Sequence, residues 1–544
     1  MFLTKKTGLI IVIVLLILMF AFIIKEIFPY ANVLWDEAEF LLQTYWTVKP
    51  IQLHDWVGVL TQLHNQISYP PLQYAILAPI LDVIGFSIEK ARIVSMIFPF
   101  ITGVLIYVLG IQVGQSVFST KKQLPQLVGL LAVVFFVTSP VLLYLHTIIL
   151  KEPMSTTWTI LAILVYFKAR TSKKLQWFLL TGVLVAISFL TKYPYGIMNL
   201  AFFGIEACIS LVTAKNGKER VHLITSHLLI LLPVVIGALL WVATSPERFN
   251  QFLYIIENNE IPNEMAGWDL PTYLFYYPKG IVYMYGITIP VGIVLLASFI
   301  FSTQYIKKLK PRLLWLSFVT YVIFLTPHMI NLQERYIAPV SPGLFILVSI
   351  VLIDVVRRSF KSPLWTRIVV CTLAIGLGIH ILISLKNLPI RVYDVGTKTI
   401  FAIAFNQPDV NPTWFDYNTA AWGKLSPALA TENPKDILTW VFNRIDTTKP
   451  VYVKGRFTEL SPPYFLLSVL TEKDHSKPKN LPYKEYYVTL TVLPTSRYYT
   501  HEYRLINEWV QWEVQTTAAD PSLTLVDAKT FKQLGISVSI YGRL

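Results

Sequence analysis

The sequence has little charge and almost no cysteine, and it contains no repeats or low-complexity segments. Only 14% of its 544 residues are charged, against about 25% in a typical soluble domain. A deficit of this size excludes a chain that faces water along most of its length. Both cysteines, Cys208 and Cys371, lie inside apolar runs, so the sequence predicts no disulfide framework.

Hydrophobic residues and positive charge are in excess. Hydrophobic residues make up 54% of the chain, and its formal net charge is +14. A basic protein first suggests nucleic-acid binding. The Lys and Arg residues, however, form short clusters between apolar runs. Membrane topology explains that pattern better, and we expect no nucleic-acid partner.

The apolar runs predict a polytopic membrane protein with about eleven transmembrane helices. The first run extends from Leu9 to about Ile24, after Lys5 and Lys6. It lacks a small-residue cleavage site, which favours an uncleaved span over a signal peptide. The other runs lie at about 92–114, 125–143, 154–169, 175–191, 196–213, 222–245, 278–301, 312–327, 335–356 and 363–386.

Basic clusters occur at every second junction between these runs, which places those junctions and the N-terminus in the cytoplasm. The chain is therefore expected to be a multi-pass plasma-membrane protein with its C-terminal part outside the cytoplasm. The clusters are Lys121-Lys122, Lys168/Arg170/Lys173/Lys174, Lys215/Lys218/Arg220, Lys307/Lys308/Lys310/Arg312 and Arg357/Arg358/Lys361.

One apolar segment, from Pro71 to Phe86, does not fit as a span. It is short and begins with Pro70-Pro71. Counting it as a crossing would invert every later basic loop. It is therefore interpreted as a juxtamembrane or re-entrant helix within the first outer loop, 31–90. The other expected outer junctions are 144–153, 192–195, 246–277 and 328–334, and they hold most of the unusual polar residues.

The composition changes near residue 387, where the chain becomes rich in Asp, Glu, Lys, Pro and Thr. We therefore expect a membrane domain, 1–386, and a soluble α/β domain, 387–544. Within the tail, a helix is predicted from Pro463 to Leu470, and β-rich segments are predicted at Tyr486–Leu493 and Ser537–Tyr541.

Two acidic sites lie in the expected outer loops. Asp36, Glu37 and Glu39 follow the first span, and in a helix Asp36 and Glu39 share a face. A carboxylate there is a candidate general base, although a loop that merely carries negative charge remains an alternative. Glu152 precedes Pro153 at the start of a later helix, where its alternative role is to interact favourably with the helix dipole.

Two cations also lie at expected outer positions. Lys192 follows a span, and Arg335 opens one. Taken singly, each is explained at least as well by a side chain that reaches the lipid headgroups. Taken with the carboxylates, they indicate one reaction, in which the carboxylates move a proton and the cations hold a phosphate.

With these acidic and basic residues, the chain resembles the GT-C superfamily of polyprenyl-phosphate-sugar glycosyltransferases. Within it, the resemblance is to the branch that holds the protein O-mannosyltransferases and the lipid A aminoarabinose transferase. It covers about residues 1–386 and rests on five motifs in the family's order. They are Trp35-Asp36-Glu37-Ala38, Tyr69-Pro70-Pro71-Leu72, Leu150-Lys151-Glu152-Pro153, Leu190-Thr191-Lys192 and Arg335-Tyr336-Ile337-Ala338-Pro339.

The resemblance implies a GT-C fold and a role for each motif. Asp36 matches the acidic residue taken as catalytic, and Glu152 matches the acidic residue of the second outer loop. Asp36 is therefore the expected base, and Glu152 is expected to position the acceptor or share the base role. Lys192 and Arg335 match basic residues placed near the carrier phosphate. Glu37 and Tyr336, beside them, complete the expected substrate-binding set.

The chain also departs from the family's pattern. Relatives often carry a charged residue or His before the Pro-Pro, and some use a Glu there as a metal ligand, whereas this chain has Ser68-Tyr69. His54, His64 and His328 have no metal-binding spacing. The sequence therefore assigns no cofactor and leaves a divalent metal open.

The expected function is transfer of a sugar from a polyprenyl-phosphate carrier to an acceptor hydroxyl, outside the cytoplasm and with inversion. The expected partners are that donor, a lipid, glycan or protein acceptor, and the bilayer. The alternatives are a transporter or flippase, for which charges near the bilayer midplane would argue, and a binding or sensing protein that acts through its outer domain.

Overall fold

The computed structural model describes residues 4–27, 35–64, 69–119, 123–242, 270–286, 289–328, 334–360, 362–387, 434–446, 449–454, 482–492, 514–532 and 536–544. The chain divides into two compact units. The first unit comprises Met1–Ile23, Thr47–Ile84 and Arg92–Ser384, and the second comprises Ile24–Trp46, Gly85–Ala91 and Leu385–Leu544.

The described part of the chain up to residue 387 is helical. Its helices are α1 (Lys5–Phe22), α2 (Trp35–Gln52), α3 (Trp56–His64), α4 (Leu72–Ile84), α5 (Ile88–Ser95), α6 (Ile97–Val117), α7 (Leu124–Thr138), α8 (Pro140–Thr147), α9 (Lys151–Ser172), α10 (Leu175–Thr191), α11 (Tyr193–Thr213), α12 (Gly217–Val242), α13 (Leu270–Gly280), α14 (Ile289–Phe301), α15 (Leu309–His328), α16 (Ser341–Ser359) and α17 (Pro363–Asn387). Short 3-10 segments occupy Ser302–Tyr305 and Glu334–Val340, and π-helical segments occupy Ile23–Ile27 and Ile281–Tyr285.

Five helical stretches in the described residues are long and apolar enough to cross a membrane, and a sixth results if the bent pair α7 and α8 counts as one span. Apolar helices that are too short for this test account for several of the other expected runs. The prediction of a polytopic helical membrane protein is therefore confirmed, while the number of about eleven spans stays a prediction. The five stretches are Lys5–Lys25, Ile88–Val117, Tyr193–Thr213, Gly217–Trp241 and Arg335–Ser359.

The segment that the sequence excludes as a span is the short helix α4. It has 13 residues, fewer than the ~17–25 needed to cross the hydrocarbon. Pro70 and Pro71 precede it. Proline lacks the N–H that a helix interior requires, but it is tolerated before the first turn. The length of α4 thus agrees with a juxtamembrane or re-entrant helix.

Helices α6 and α7 pack with their backbones in close contact. A Cβ added at Gly110 would lie 2.6 Å from the Cα of Gly129, and one added at Gly129 would lie 2.6 Å from the carbonyl oxygen of Tyr107. Small residues at helix crossings allow this approach in membrane proteins, where van der Waals packing drives helix association.

The C-terminal part of the second unit contains helix α18 (Pro434–Phe442) and a four-stranded sheet. The strands are β1 (Val451–Lys454), β2 (Glu485–Val492), β3 (Leu523–Phe531) and β4 (Ile536–Arg543). Their order is β1-β2-β4-β3. β1 pairs with β2 in parallel, and the other pairs are antiparallel.

A core of β-branched and aromatic residues holds this sheet. Ile536, Val538 and Ile540 alternate inward along β4, as expected where one face of a strand is buried. On α18, the ring of Trp440 packs edge-on against Phe531 at 6.1 Å between centroids. The two predicted β-rich segments are thus strands, and the small α/β domain is confirmed in class. The helix predicted at 463–470 lies outside the described residues, and the domain boundary after residue 386 stays a prediction.

Candidate active site

Glu152 lies in the first turn of α9, and its side chain is buried at 1% exposure. The ammonium of Lys192 donates to its Oε1 at 2.8 Å, and the hydroxyl of Tyr195 donates to the same oxygen at 2.9 Å. Lys192 is the extended residue between α10 and α11, with φ of −154°. This break in the helical path brings a cation 40 residues distant in sequence onto the carboxylate.

The ammonium of Lys192 is also surrounded by aromatic rings. Its Nζ lies 4.7 Å from the ring centroid of Tyr336, 5.2 Å from that of Tyr195 and 5.6 Å from that of Tyr69. The Arg335 guanidinium lies 5.5 Å from the Tyr336 ring. The negative faces of these rings stabilise a buried cation. Tyr336 therefore lies between the two predicted phosphate ligands.

Lys151 is a further buried cation in the same cluster. Its Nζ donates to the carbonyl oxygen of Pro70 at 3.2 Å and lies 5.0 and 4.5 Å from the rings of Tyr69 and Tyr74. Beside it, the side-chain amide of Gln73 donates to the carbonyl oxygen of Leu150 at 3.0 Å. These contacts tie the start of α4 to the start of α9.

The charges around Glu152 set its ionisation. Burial alone raises the pKa of this carboxyl, but Lys192 and, more weakly, Arg335 lower it, and the net result is a pKa of about 2. Burial likewise lowers the pKa of Lys192, while the nearby Glu152 raises it above its usual value. Both groups are therefore charged at neutral pH.

Three cationic side chains, Lys151, Lys192 and Arg335, lie in this cluster with the carboxylate of Glu152. Ammonium and guanidinium groups form strong, charge-assisted hydrogen bonds with phosphate oxygens. The chemistry of these groups is therefore suited to binding an anion.

The first acidic motif lies in the part of α2 that belongs to the second unit. Glu37 is fully buried there, and Glu39 is half-buried. Asp36 is part of the first turn of α2, but its side chain lies outside the described residues. The segment is helical, so the backbone positions of Asp36 and Glu39 share a face, as predicted.

Among the residues that the structure describes, no group of three or more His, Cys, Asp or Glu side chains could hold a metal ion. His54 and His64 are exposed, and the side chain of His328 is outside the described part. The question of a metal stays as the sequence left it.

Two features escaped the sequence analysis. Lys151 was part of a motif but had no assigned role, and its contacts with the carbonyl oxygen of Pro70 and the rings of Tyr69 and Tyr74 depend on tertiary packing. Glu206, in the middle of an apolar run, is fully buried in α11 and accepts two hydrogen bonds from the Arg312 guanidinium at 2.8 and 2.9 Å. Ser210, one turn further along α11, donates to it as well.

Comparison with known proteins finds a family model that matches part of the chain. Residues 68–241 match the model of the dolichyl-phosphate-mannose-protein mannosyltransferase family. This segment contains Tyr69, Lys151, Glu152 and Lys192. A search of curated protein sequences finds no match.

The fold is similar to that of ArnT from Cupriavidus metallidurans. The apo structure of that protein aligns with a TM-score of 0.58 at 12% identity, covering 99% of this chain and 98% of the other. Its structure bound to undecaprenyl phosphate aligns with a TM-score of 0.55 at 12% identity, covering 97% of each chain. The chain therefore has a GT-C fold, and the family match over residues 68–241 indicates membrane glycosyl transfer. The comparisons give no support to the transporter or flippase alternative.

Proposed function

We propose that this glycosyltransferase takes a sugar from a polyprenyl-phosphate carrier and transfers it to a hydroxyl of a lipid, glycan or protein acceptor. The reaction takes place on the extracytoplasmic side of the plasma membrane, where the soluble C-terminal domain also lies. The sidedness follows from the distribution of basic loops. Undecaprenyl phosphate, bound in one ArnT structure, is a carrier of the proposed class.

The observation that carries the proposal is the grouping of three cations, Lys151, Lys192 and Arg335, around Glu152. A polyprenyl-phosphate sugar is a phosphodiester with one negative charge. The released phosphate monoester carries about −1.5 to −2 at neutral pH. Cations beside the phosphate stabilise the charge that develops on the leaving group, and such interactions, stronger in the transition state than in the ground state, accelerate the reaction.

Lys192 and Arg335 bind the phosphate in this proposal, and Lys151 adds a third positive charge. Tyr336 completes the phosphate side of the site, because its ring contacts both Lys192 and Arg335. Glu37 belongs to the proposed substrate-binding set through its place in the first acidic motif.

Asp36 and Glu152, the two acidic residues expected to be catalytic, have different roles in this proposal. A general base works best when its pKa lies near the operating pH, and a carboxylate with a pKa of about 2 is a weak proton acceptor. Glu152 therefore acts through Lys192, as a positioning residue that holds the ammonium in place. The base is Asp36.

The reaction is a single displacement. Asp36 takes the proton of the acceptor hydroxyl while the hydroxyl oxygen attacks the anomeric carbon. The bond from that carbon to the phosphate oxygen breaks, and its electron pair leaves with the polyprenyl phosphate. Because the nucleophile enters opposite the leaving group, the anomeric centre inverts. The phosphate leaves without a general acid, in contrast to the sugar alcohol in glycoside hydrolysis.

Turnover of defined donors by the purified protein tests the proposal. The protein, in lipid nanodiscs, is given a panel of polyprenyl-phosphate sugars, and release of polyprenyl phosphate is measured with acceptor present. Asp36→Asn should lower turnover by about 100- to 10,000-fold, the usual contribution of a general base. Donor affinity should change little, because the substitution keeps the shape of the side chain.

Glu37→Gln and Glu39→Gln are the matched controls, since they remove neighbouring carboxylates from the same helix turn. Near-normal turnover in Asp36→Asn, with loss in either control, would reassign the base. No release from any donor by the wild-type protein would reject the polyprenyl-phosphate proposal.

A further inference from the structure

Tyr69 lies directly before Pro70-Pro71, and its ring faces both lysines of the Glu152 cluster. The centroid of the ring is 5.0 Å from the Nζ of Lys151 and 5.6 Å from the Nζ of Lys192. Both distances fall within the ~6 Å over which the face of an aromatic ring attracts a cation. A single half-buried ring is therefore shared by two ammonium groups.

The segment that carries Tyr69 is fixed to the start of α9. The ammonium of Lys151 donates to the carbonyl oxygen of Pro70 at 3.2 Å, and the side-chain amide of Gln73 donates to the carbonyl oxygen of Leu150 at 3.0 Å. Lys151 and Gln73 are both buried. The residue before a proline is restricted to extended conformations. The place of the Tyr69 ring therefore follows from where Lys151 holds Pro70.

The Lys192 ammonium requires support from its surroundings to keep one orientation. A lysine carries three rotatable donors on a flexible stem, and Glu152 accepts one of them. The rings of Tyr69, Tyr195 and Tyr336 face this ammonium. Loss of the Tyr69 ring therefore leaves the ammonium freer to turn away from a phosphate ligand.

Lys151 contacts the segment that leads into α4. Besides the carbonyl oxygen of Pro70 and the ring of Tyr69, its Nζ lies 4.5 Å from the ring centroid of Tyr74. The carbonyl and the two rings all belong to this segment. Lys151 is thereby connected to Lys192 through the Tyr69 ring that the two ammonium groups share.

We propose that Lys151 and Tyr69 are positioning residues for sugar transfer. Lys151 holds the Tyr69-Pro70 segment on α9, and the Tyr69 ring holds the Lys192 ammonium in the orientation that binds the donor phosphate. The inference rests on the proposed function, in which Lys192 is a ligand of that phosphate.

Binding of undecaprenyl phosphate to the purified protein in lipid nanodiscs tests the role of the ring. Tyr69→Leu should weaken binding by about 2- to 30-fold, the range for a cation–π contact. Tyr69→Phe should bind with wild-type affinity, because it keeps the ring and removes only the hydroxyl. Thermal unfolding of the same preparations shows that each variant is folded.

Double variants separate positioning from a merely structural role. Tyr69→Leu should lower kcat/KM in the wild-type protein but not in Lys192→Ala/Glu152→Gln, because the ammonium that the ring positions is then absent. A structural effect of Tyr69→Leu would persist in that background. The losses of binding from Lys151→Met and from Tyr69→Leu should likewise combine to less than their product, because both act through the same ring.

Lys168 and Trp177 provide the matched control. The Nζ of Lys168 lies 3.6 Å from the centroid of the Trp177 ring, which is a contact of the same kind outside the cluster. Lys168→Met and Trp177→Leu should change neither undecaprenyl-phosphate binding nor kcat/KM. Losses here as large as those at Tyr69 would show a general disturbance of the protein and overturn the inference.

The remaining outcomes overturn the inference in distinguishable ways. If wild type and Tyr69→Leu bind undecaprenyl phosphate equally well, the positioning role is wrong and the proposed function stands. An equal loss in Tyr69→Phe and Tyr69→Leu would assign the role to the hydroxyl instead of the ring. Losses from Lys151→Met and Tyr69→Leu that multiply fully would make Lys151 a direct ligand of the phosphate. A wild-type protein that neither binds undecaprenyl phosphate nor uses its sugars would reject both proposals.

Discussion

Glu152 and Glu206 are both buried glutamates of the first unit, and each is held by a cation in a cluster built from α9, α11 and neighbouring residues. At Glu152, Lys192 and Tyr195 both donate to one oxygen, Oε1. At Glu206, the guanidinium of Arg312 reaches both carboxylate oxygens.

The groups that surround the two glutamates also differ. Around Glu206, Ser210 donates to the carboxylate and accepts a hydrogen bond from Arg170 at 3.0 Å. Arg170 also contacts the hydroxyl of Tyr166. The Glu206 cluster is therefore a network of hydrogen bonds that joins three helices, and such networks hold membrane helices together.

The Glu152 cluster instead brings several cations against aromatic rings. A lysine ammonium is a compact charge on a flexible stem, whereas the planar guanidinium in a two-bond pair has a fixed geometry. Lys192 can thus keep one hydrogen bond to Glu152 and direct another to a ligand. The comparison teaches that a buried ion pair alone does not indicate the role of a charge. The number and geometry of the surrounding donors distinguish the two clusters.

The largest expected effects come from removing the cation that pairs with each glutamate. Lys192→Ala should lower kcat/KM by roughly 30- to 5,000-fold, since truncating one partner of a buried charge pair costs about 2–5 kcal/mol. Arg312→Ala should lower the free energy of unfolding by a similar amount. It should change kcat/KM by less than about threefold, because Arg312 lies outside the site. Thermal unfolding and donor turnover, measured on the same preparations, give both quantities.

The double variant Lys192→Ala/Glu152→Gln separates catalysis from folding. It removes the unpaired buried carboxylate, so thermal stability should recover while turnover does not. Recovery of turnover in the double variant would show that Lys192 serves only to neutralise Glu152.

A smaller effect is expected at Arg335, which we propose binds the donor phosphate. Arg335→Ala should raise the donor KM by about 10- to 150-fold, the range for hydrogen bonds that involve a charged group. Arg335→Lys should restore only part of the affinity, because lysine lacks the two-pronged geometry of arginine. Arg170→Ala, at the Glu206 cluster, is the control and should leave KM unchanged. Equal donor KM in wild type and in Arg335→Ala would make Arg335 a lipid-facing anchor.

A still smaller effect is expected at Tyr195. Tyr195→Phe removes one hydrogen bond to Glu152 but keeps the ring beside Lys192, so kcat/KM should fall about 2- to 12-fold. Ser210→Ala removes the corresponding bond to Glu206 and should lower only the thermal midpoint. A larger loss of kcat/KM from Ser210→Ala than from Tyr195→Phe would contradict the division of roles between the clusters.

The local features of this molecule were predictable from its sequence. The brevity of α4 follows from the Pro-Pro pair and the count of apolar residues after it. The strands β2 and β4 follow from β-branched and aromatic residues in alternation. The cations and carboxylates of the candidate site were recognised singly, because each interrupts an apolar pattern near the end of a run.

Their pairing could not be predicted, because it depends on tertiary packing between distant segments. Glu152 and Lys192 are 40 residues apart, and each alone has an adequate local explanation. Glu206 and Arg312 are 106 residues apart, and the apolar run around Glu206 gives no sign of its partner. The position of Lys151 against Pro70 depends on how α4 meets α9.

The smallest expected effect concerns pH. The stabilisation that Glu152 and Lys192 contribute should not change with pH near neutrality. Burial raises and Lys192 lowers the pKa of Glu152, with a net value of about 2, below the ~4.3 of an unperturbed glutamate. The stabilisation from this carboxylate is therefore complete above that ordinary value and is lost as the pH falls towards 2. For Lys192, whose pKa is raised, the stabilisation is complete below its ordinary value of ~10.4 and is lost only above it.

The difference in thermal stability between wild type and Glu152→Gln should accordingly be constant from about pH 5 to pH 9 and shrink below about pH 4. Thermal unfolding is followed across this pH range in a detergent whose charge does not change with pH, and it measures the difference. A change in turnover between pH 5 and 9 should then persist in Glu152→Gln, because it arises from another group. A stability difference that already declines between pH 7 and pH 5 would mean that Glu152 titrates near neutrality, and Glu152 would then become a candidate for the base in place of Asp36.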